Sequence, residues 1–178
     1  MTKNQKLLLK ITRIALPSVL TLLWLAFIYG NSLQTGVESG EASGRVYRLV
    51  NALPELLGLG SPISEHFVRK AAHFTEFAIL GILICTDLWC FSAVSLSRPL
   101  YIGASLLSVS IPICAVFASL DEFLQSFVDG RGPSVKDVLI DTSGALFSAI
   151  LFIAFFSLMR IILKKRTKIN TSATISLS

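Results

Sequence analysis

The residues able to do chemistry recur at spacings that place them on single helix faces. His73 and Glu76 stand one turn apart, as do Asp121 and Gln125. Asp137, Asp141, Gly144 and Ser148 follow i, i+4, i+7, i+11. At about 100° per residue, His66, Arg69, Lys70, His73, Glu76 and Asp87 fall within about a 120° arc, opposite Val68, Ala72, Phe74, Ala78, Ile79 and Ile82. A histidine beside carboxylates equips a site for general acid–base work, and it also suits a hard or borderline divalent cation. Arg131, between Gly130 and Gly132, carries a fork that grips an anion. No serine elbow, H-E-x-x-H or Walker loop occurs, so no particular reaction is legible.

These groups sit in a chain that is otherwise poor in charge. Its 178 residues are 53% hydrophobic and 15% charged, with a mean hydropathy of +0.70. Soluble domains carry about 25% charged residues, so a disordered, collagen-like or strongly polar chain is excluded and an ordinary soluble globule is disfavoured. Lys3, Lys6, Lys10 and Arg13 stand at the front, and Arg160, Lys164, Lys165, Arg166 and Lys168 at the back, with no acid in either group. All eleven acids fall between Glu38 and Asp141. Basic residues are not interleaved with aromatics on one surface, which argues against a nucleic-acid partner. Cys85, Cys90 and Cys114 lie in apolar runs and read as packing residues rather than a disulfide or metal set.

A bilayer core about 30 Å thick requires about 20 mostly apolar residues in a helix. Four stretches qualify, at about 14–30, 71–91, 101–120 and 138–163. The first reads as an uncleaved helix rather than a signal peptide, because no small-x-small cleavage site follows it cleanly. Pro112 is placed to kink the third. The expected architecture is an all-α membrane protein, four transmembrane helices in a bundle. It has a basic N-terminus (1–13), a transmembrane domain (14–163) and a basic, disordered tail (164–178). Positive residues are retained on the cytoplasmic side, so both termini are expected there, with 31–70 and 121–136 outside and the connection near Arg98 inside.

The first outer segment has its own pattern. Arg45 to Leu57 places Val46, Leu49, Val50, Leu53 and Leu57 at helical spacing, an amphipathic helix suited to the lipid surface. Gly36 to Gly44 before it reads as a loop, and Ser61-Pro62 as the start of the second membrane helix. The topology then brings the polar ends of helices two, three and four to one membrane depth. Asp121 and Asp137 are expected as neighbours across the tight V-D-G-R-G-P turn. Ser134 and Asp137 have the S-x-x-D form of a helix start. Asp87, toward the inner end, reads as a solvated or capping residue. Ser105, Ser108 and Ser110 read as packing contacts.

Three stretches of the chain resemble the VanZ-like family of small bacterial membrane proteins: K70-A-A-H-F-T-E-F77, L120-D-E-F-L-Q-S-F-V-D-G-R131 and S134-V-K-D-V-L-I-D-T-S-G144. The resemblance covers about residues 24 to 155. It departs at Asp129-Gly130-Arg131, where the family often has Pro-Gly-Arg, and at Asp141, where it often has asparagine and this chain gains a carboxylate. The resemblance implies a multi-pass membrane protein, with members associated with low-level resistance to teicoplanin and related lipoglycopeptides. It also makes Lys70, His73, Glu76, Asp121, Glu122, Gln125, Arg131 and Asp137 the motif positions.

Two functional readings follow. In one, the site acts on a lipid-linked or envelope substrate at the outer leaflet. The catalytic candidates are then His73, Glu76, Asp121, Glu122 and Asp137, with Lys70, Gln125, Arg131 and Asp141 binding an anionic envelope lipid or lipid-linked precursor, and a divalent cation as the cofactor such a donor set suits. In the other, the same residues bind or shield without chemistry, or form a structural ion-pair network that fixes helix register. Proton-coupled transport is disfavoured, since the acids collect at one face and no broken-helix pair or internal repeat is evident.

Overall fold

A computed structural model describes residues 2–60, 63–95 and 102–175 of the chain. The described residues form five helices: α1 (Lys3–Ser32), α2 (Gly36–Leu56), α3 (Glu65–Ser95), α4 (Ile102–Gln125) and α5 (Val135–Ile175). The start proposed at Ser61-Pro62, the connection near Arg98 and the opening residue of the third span, Tyr101, lie outside the described residues, as does the side chain of Ser105. Four helices are long and apolar enough to cross a membrane: Lys3–Ser32, Glu65–Ser92, Leu106–Gln125 and Val135–Lys165. Their apolar surface faces outward, with Leu22, Leu23, Phe155 and Ile161 all exposed. In water that surface would drive aggregation, whereas in lipid it is the solvated face.

Helices α3, α4 and α5 pack around Phe77, Leu80, Cys114, Ala118 and Ala145, and α1 adds Leu25 and Ile28. A second cluster of Cys85, Leu106 and Ala149 continues the core along the bundle. Small residues let α3 and α5 approach. A Cβ on Gly81 would fall 2.9 Å from the Cα of Ala145, and one on Gly144 would strike the Phe74 carbonyl. With no hydrophobic drive between helices in lipid, this close packing is what holds such a pair together.

Two expectations are corrected. Gly36 to Gly44 is helix rather than loop, because Thr35 and Glu38 form a reciprocal capping box that nucleates α2 despite three glycines. Beyond residue 164 the described chain runs on as α5 to Ile175, with no glycine or proline after Gly144 to stop a helix already formed. Asp87 is a partly buried acceptor between helices rather than a cap. It accepts from Ser18 Oγ at 3.0 Å and Thr21 Oγ1 at 2.6 Å, joining α3 to α1. Pro17 and Pro112 lie inside α1 and α4, which run through them.

Amphipathic α2 keeps its expected apolar row unpartnered, with Val46, Leu49, Val50, Leu53 and Leu57 all exposed. Two polar contacts fix its ends. Gly36 N–H donates to the Asp129 carbonyl at 3.0 Å. Buried Asn51 donates to the Ile63 carbonyl at 3.0 Å and accepts from Ile63 N–H at 3.2 Å. The helix is thereby strapped from the α4–α5 turn to the approach of α3.

Candidate functional site

The end of α1, the start of α3, the end of α4 and the start of α5 meet at one rim of the bundle. The α4–α5 turn is tight because Gly130 adopts φ 75°, a conformation that strains residues with a Cβ; Gly132 does not. A Cβ on Gly36 would collide with the Gly130 carbonyl at 2.6 Å, so the α2 strap also needs this glycine pair. Ser134 caps α5 by accepting from Asp137 N–H at 3.4 Å. The Asp137 side chain does not reciprocate. Instead Glu122 Oε2, from α4, accepts the Ser134 N–H at 2.6 Å.

Freed from capping, Asp137 pairs with Lys70 of α3, and both are half-buried. One turn further into the bundle, His73 Nδ1 lies 3.6 Å from Asp141 Oδ1, and Asp141 is fully buried. Asp121 is also fully buried. It accepts from Gln125 Nε2 at 2.8 Å and from the Ser32 hydroxyl. Glu76 accepts from Asn31 Nδ2 at 2.9 Å, while its backbone carbonyl accepts from Trp24 Nε1 at 2.9 Å. One donor atom from each of His73, Asp121 and Asp141 lies within 4.8 Å of the other two. The structure thus brings together the residues singled out from three separated stretches, and His73, Asp121 and Asp137 share one end of the bundle.

Helix α1 supplies what the sequence reading missed. Asn31 and Ser32 end the first span at the same rim, and the arithmetic that gathered the other clusters would have included them. Arg131 reaches back to the Ser32 carbonyl with Nη1 at 3.0 Å, placing its cation at the negative end of the α1 dipole. Burial lowers the Arg131 pKa from its ordinary value, Asp121 opposes that shift, and nearby Arg69 reinforces it.

A half-open pocket of about 360 Å³ lies between α2 and this cluster. Its lining includes Arg45 and Val46 of α2, Arg69, His73 and Glu76 of α3, Asn31 and Ser32 of α1, and Arg131 from the turn. Lys70, Asp137 and Glu122 do not line it. Lys70 is engaged by Asp137, whereas Arg45, Arg69 and Arg131 all line the pocket. Among the described residues Arg69 forms an exposed i, i+4 pair with Glu65, at 3.7 Å.

The family model described as VanZ/LLP1 matches residues 18–160, which include every site residue described above. No curated protein and no solved structure matches the chain. Four helices able to span a membrane and a family match over most of the sequence make this a multi-pass membrane protein that belongs to the VanZ/LLP1 family.

Proposed function

We propose that this VanZ-type membrane protein recognises the anionic headgroup of an envelope lipid or lipid-linked wall precursor, in the pocket between α2 and the α1, α3 and α4–α5 rim. The observation that carries this reading is the convergence of Arg45, Arg69 and Arg131 on one half-open pocket at the end of the spans. Arg69 and Arg131 repel each other across it, and a phosphate between them would relieve that repulsion through bidentate contacts. The volume suits a headgroup rather than a whole lipid, and the acyl or prenyl chain would lie along the exposed apolar row of α2. By the positive-inside argument, the rim faces outward and both termini are cytoplasmic.

A structural ion-pair network is the competing reading. It is disfavoured by the buried oxygens of Asp141, which have no hydrogen-bond partner where a purely structural network would have paired them.

Native mass spectrometry of the full chain in detergent tests the proposal, with phosphatidylglycerol, phosphatidylcholine and a prenyl pyrophosphate as separate probes. Retention of an anionic probe but not phosphatidylcholine is expected, reduced about tenfold in an R45Q/R69Q/R131Q variant. Preference between the two anionic probes tells lipid from precursor. Equal retention of phosphatidylcholine, or undiminished retention by the triple variant, overturns it. The family's phenotype gives a cellular readout. Expression in a susceptible host should lower teicoplanin susceptibility, and the triple variant should restore it.

A further inference from the structure

We propose that His73, Asp121 and Asp141 form a binding site for one first-row divalent cation of the zinc or manganese type. The inference does not rest on the headgroup reading: His73 lines the pocket, but Asp121 and Asp141 do not, and none of the pocket's arginines is among the three donors.

Three observations support it. The first is geometric. His73 Nδ1 and Asp141 Oδ1 are 3.6 Å apart, too long for an N–H···O bond of about 2.7–3.2 Å. Two ligands about 2.1 Å from one tetrahedral ion are themselves about 3.4 Å apart. The third donor, from Asp121, lies within 4.8 Å of both.

The second is unmet bonding. Both oxygens of Asp141 and Nδ1 of His73 are buried with no hydrogen-bond partner, and Asp141 is 0% exposed. Buried acceptors at this density without donors are costly, and a cation satisfies them together. Asp121 differs in a telling way. Its oxygens are held by Ser32 and Gln125, yet a carboxylate offers about four lone-pair positions, so it retains capacity to ligate. Ser32 and Gln125 then act as the outer partners that orient a ligand.

The third is charge. Lys70 is committed to Asp137, and Arg45, Arg69 and Arg131 line the adjoining pocket, while the two fully buried carboxylates, Asp121 and Asp141, have no lysine or arginine at ion-pair distance among the described residues. A divalent ion removes the excess of negative charge from a region that lipid surrounds. One imidazole nitrogen with carboxylate oxygens suits zinc or manganese better than calcium, which prefers oxygen alone.

The test uses the full chain in detergent, stripped with chelator and titrated with MnCl2 and with ZnCl2 by calorimetry. One saturable site per chain is expected. D141N and H73Q should each weaken it at least tenfold, and S32A by about tenfold, as loss of an outer partner does. D129N, in the exposed turn, should leave it unchanged. Circular dichroism verifies that each variant is folded. Loading the wild-type chain with Co²⁺ decides the matter even if a variant fails to fold, because nitrogen and oxygen ligation gives d–d bands without the thiolate charge-transfer band that Cys85, Cys90 or Cys114 would produce. Absence of saturable binding, undiminished affinity in both folded D141N and H73Q, or a thiolate band overturns the proposal.

Discussion

Ser32, the last residue of α1, donates its hydroxyl to Asp121 near the end of α4, so the first and third spans are tied at the rim where the polar groups gather. Gln125 Nε2 approaches the same hydroxyl at 3.5 Å and bonds Asp121 directly. The carboxylate is thus oriented by two neutral donors rather than neutralised by a cation, which leaves it available to a ligand.

The Lys70–Asp137 pair should behave as a coupled unit. Lys70→Ala or Asp137→Ala is expected to cost about 1–3 kcal/mol, since each leaves a half-buried charge behind. The double variant should cost less than the sum. Thermal unfolding of all four forms in detergent measures the coupling, and strict additivity would contradict it.

Helix packing predicts a steric effect. Gly144→Leu should overpack the α3–α5 contact at Phe74 and lower stability by about 1–3 kcal/mol. Gly30→Leu, where added atoms meet open space, should be tolerated far better. A thermal-shift comparison separates them.

Asp87 should matter to the bundle rather than to the site. Thr21→Val keeps the shape but removes the 2.6 Å hydrogen bond, with an expected loss of about 1–3 kcal/mol. Retention of any metal or lipid probe should be unaffected in the folded variant, because Asp87 contacts Ser18 and Thr21 and not the rim.

The start of α2 should be sensitive to acid. Bonds from the Thr35 backbone N–H and hydroxyl hold the Glu38 pKa below its ordinary value. A depressed carboxylate stabilises the folded form above its unfolded pKa and loses that contribution as pH falls through the folded one. Amide exchange at residues 36–40 should therefore open selectively as pH drops through and below the ordinary carboxylate range. Thr35→Ala should open the same amides at neutral pH. No change in either condition would show that the cap does not hold this helix.

Much of this architecture was legible from composition and periodicity. Four spans follow from runs of apolar residues as long as a bilayer is thick, and the shared rim follows from counting which helix ends lie on the same side. The Asp137–Asp141–Gly144–Ser148 face was readable because spacing on a helix is fixed by its pitch, and Gly144 and Ser148 do meet α3. Local pattern misled at Gly36 to Gly44, where glycine composition outweighed the T-x-x-E signature. It misled again at Asp87, whose partners are more than sixty residues away.

Sequence alone thus determined which groups lipid would reject and at which end of the bundle they must emerge, because helix period and membrane thickness are properties of the chain and its solvent. Only the tertiary structure decided how those groups divide. Lys70 closes on Asp137, Ser32 joins from α1, Arg45 and Arg69 frame the pocket, and Asp141 is left buried without a donor. Pairing between helices depends on rotation and close approach, set here by Gly81 and Gly144 together with the Gly36–Gly130 contact, and no one-dimensional spacing encodes those distances.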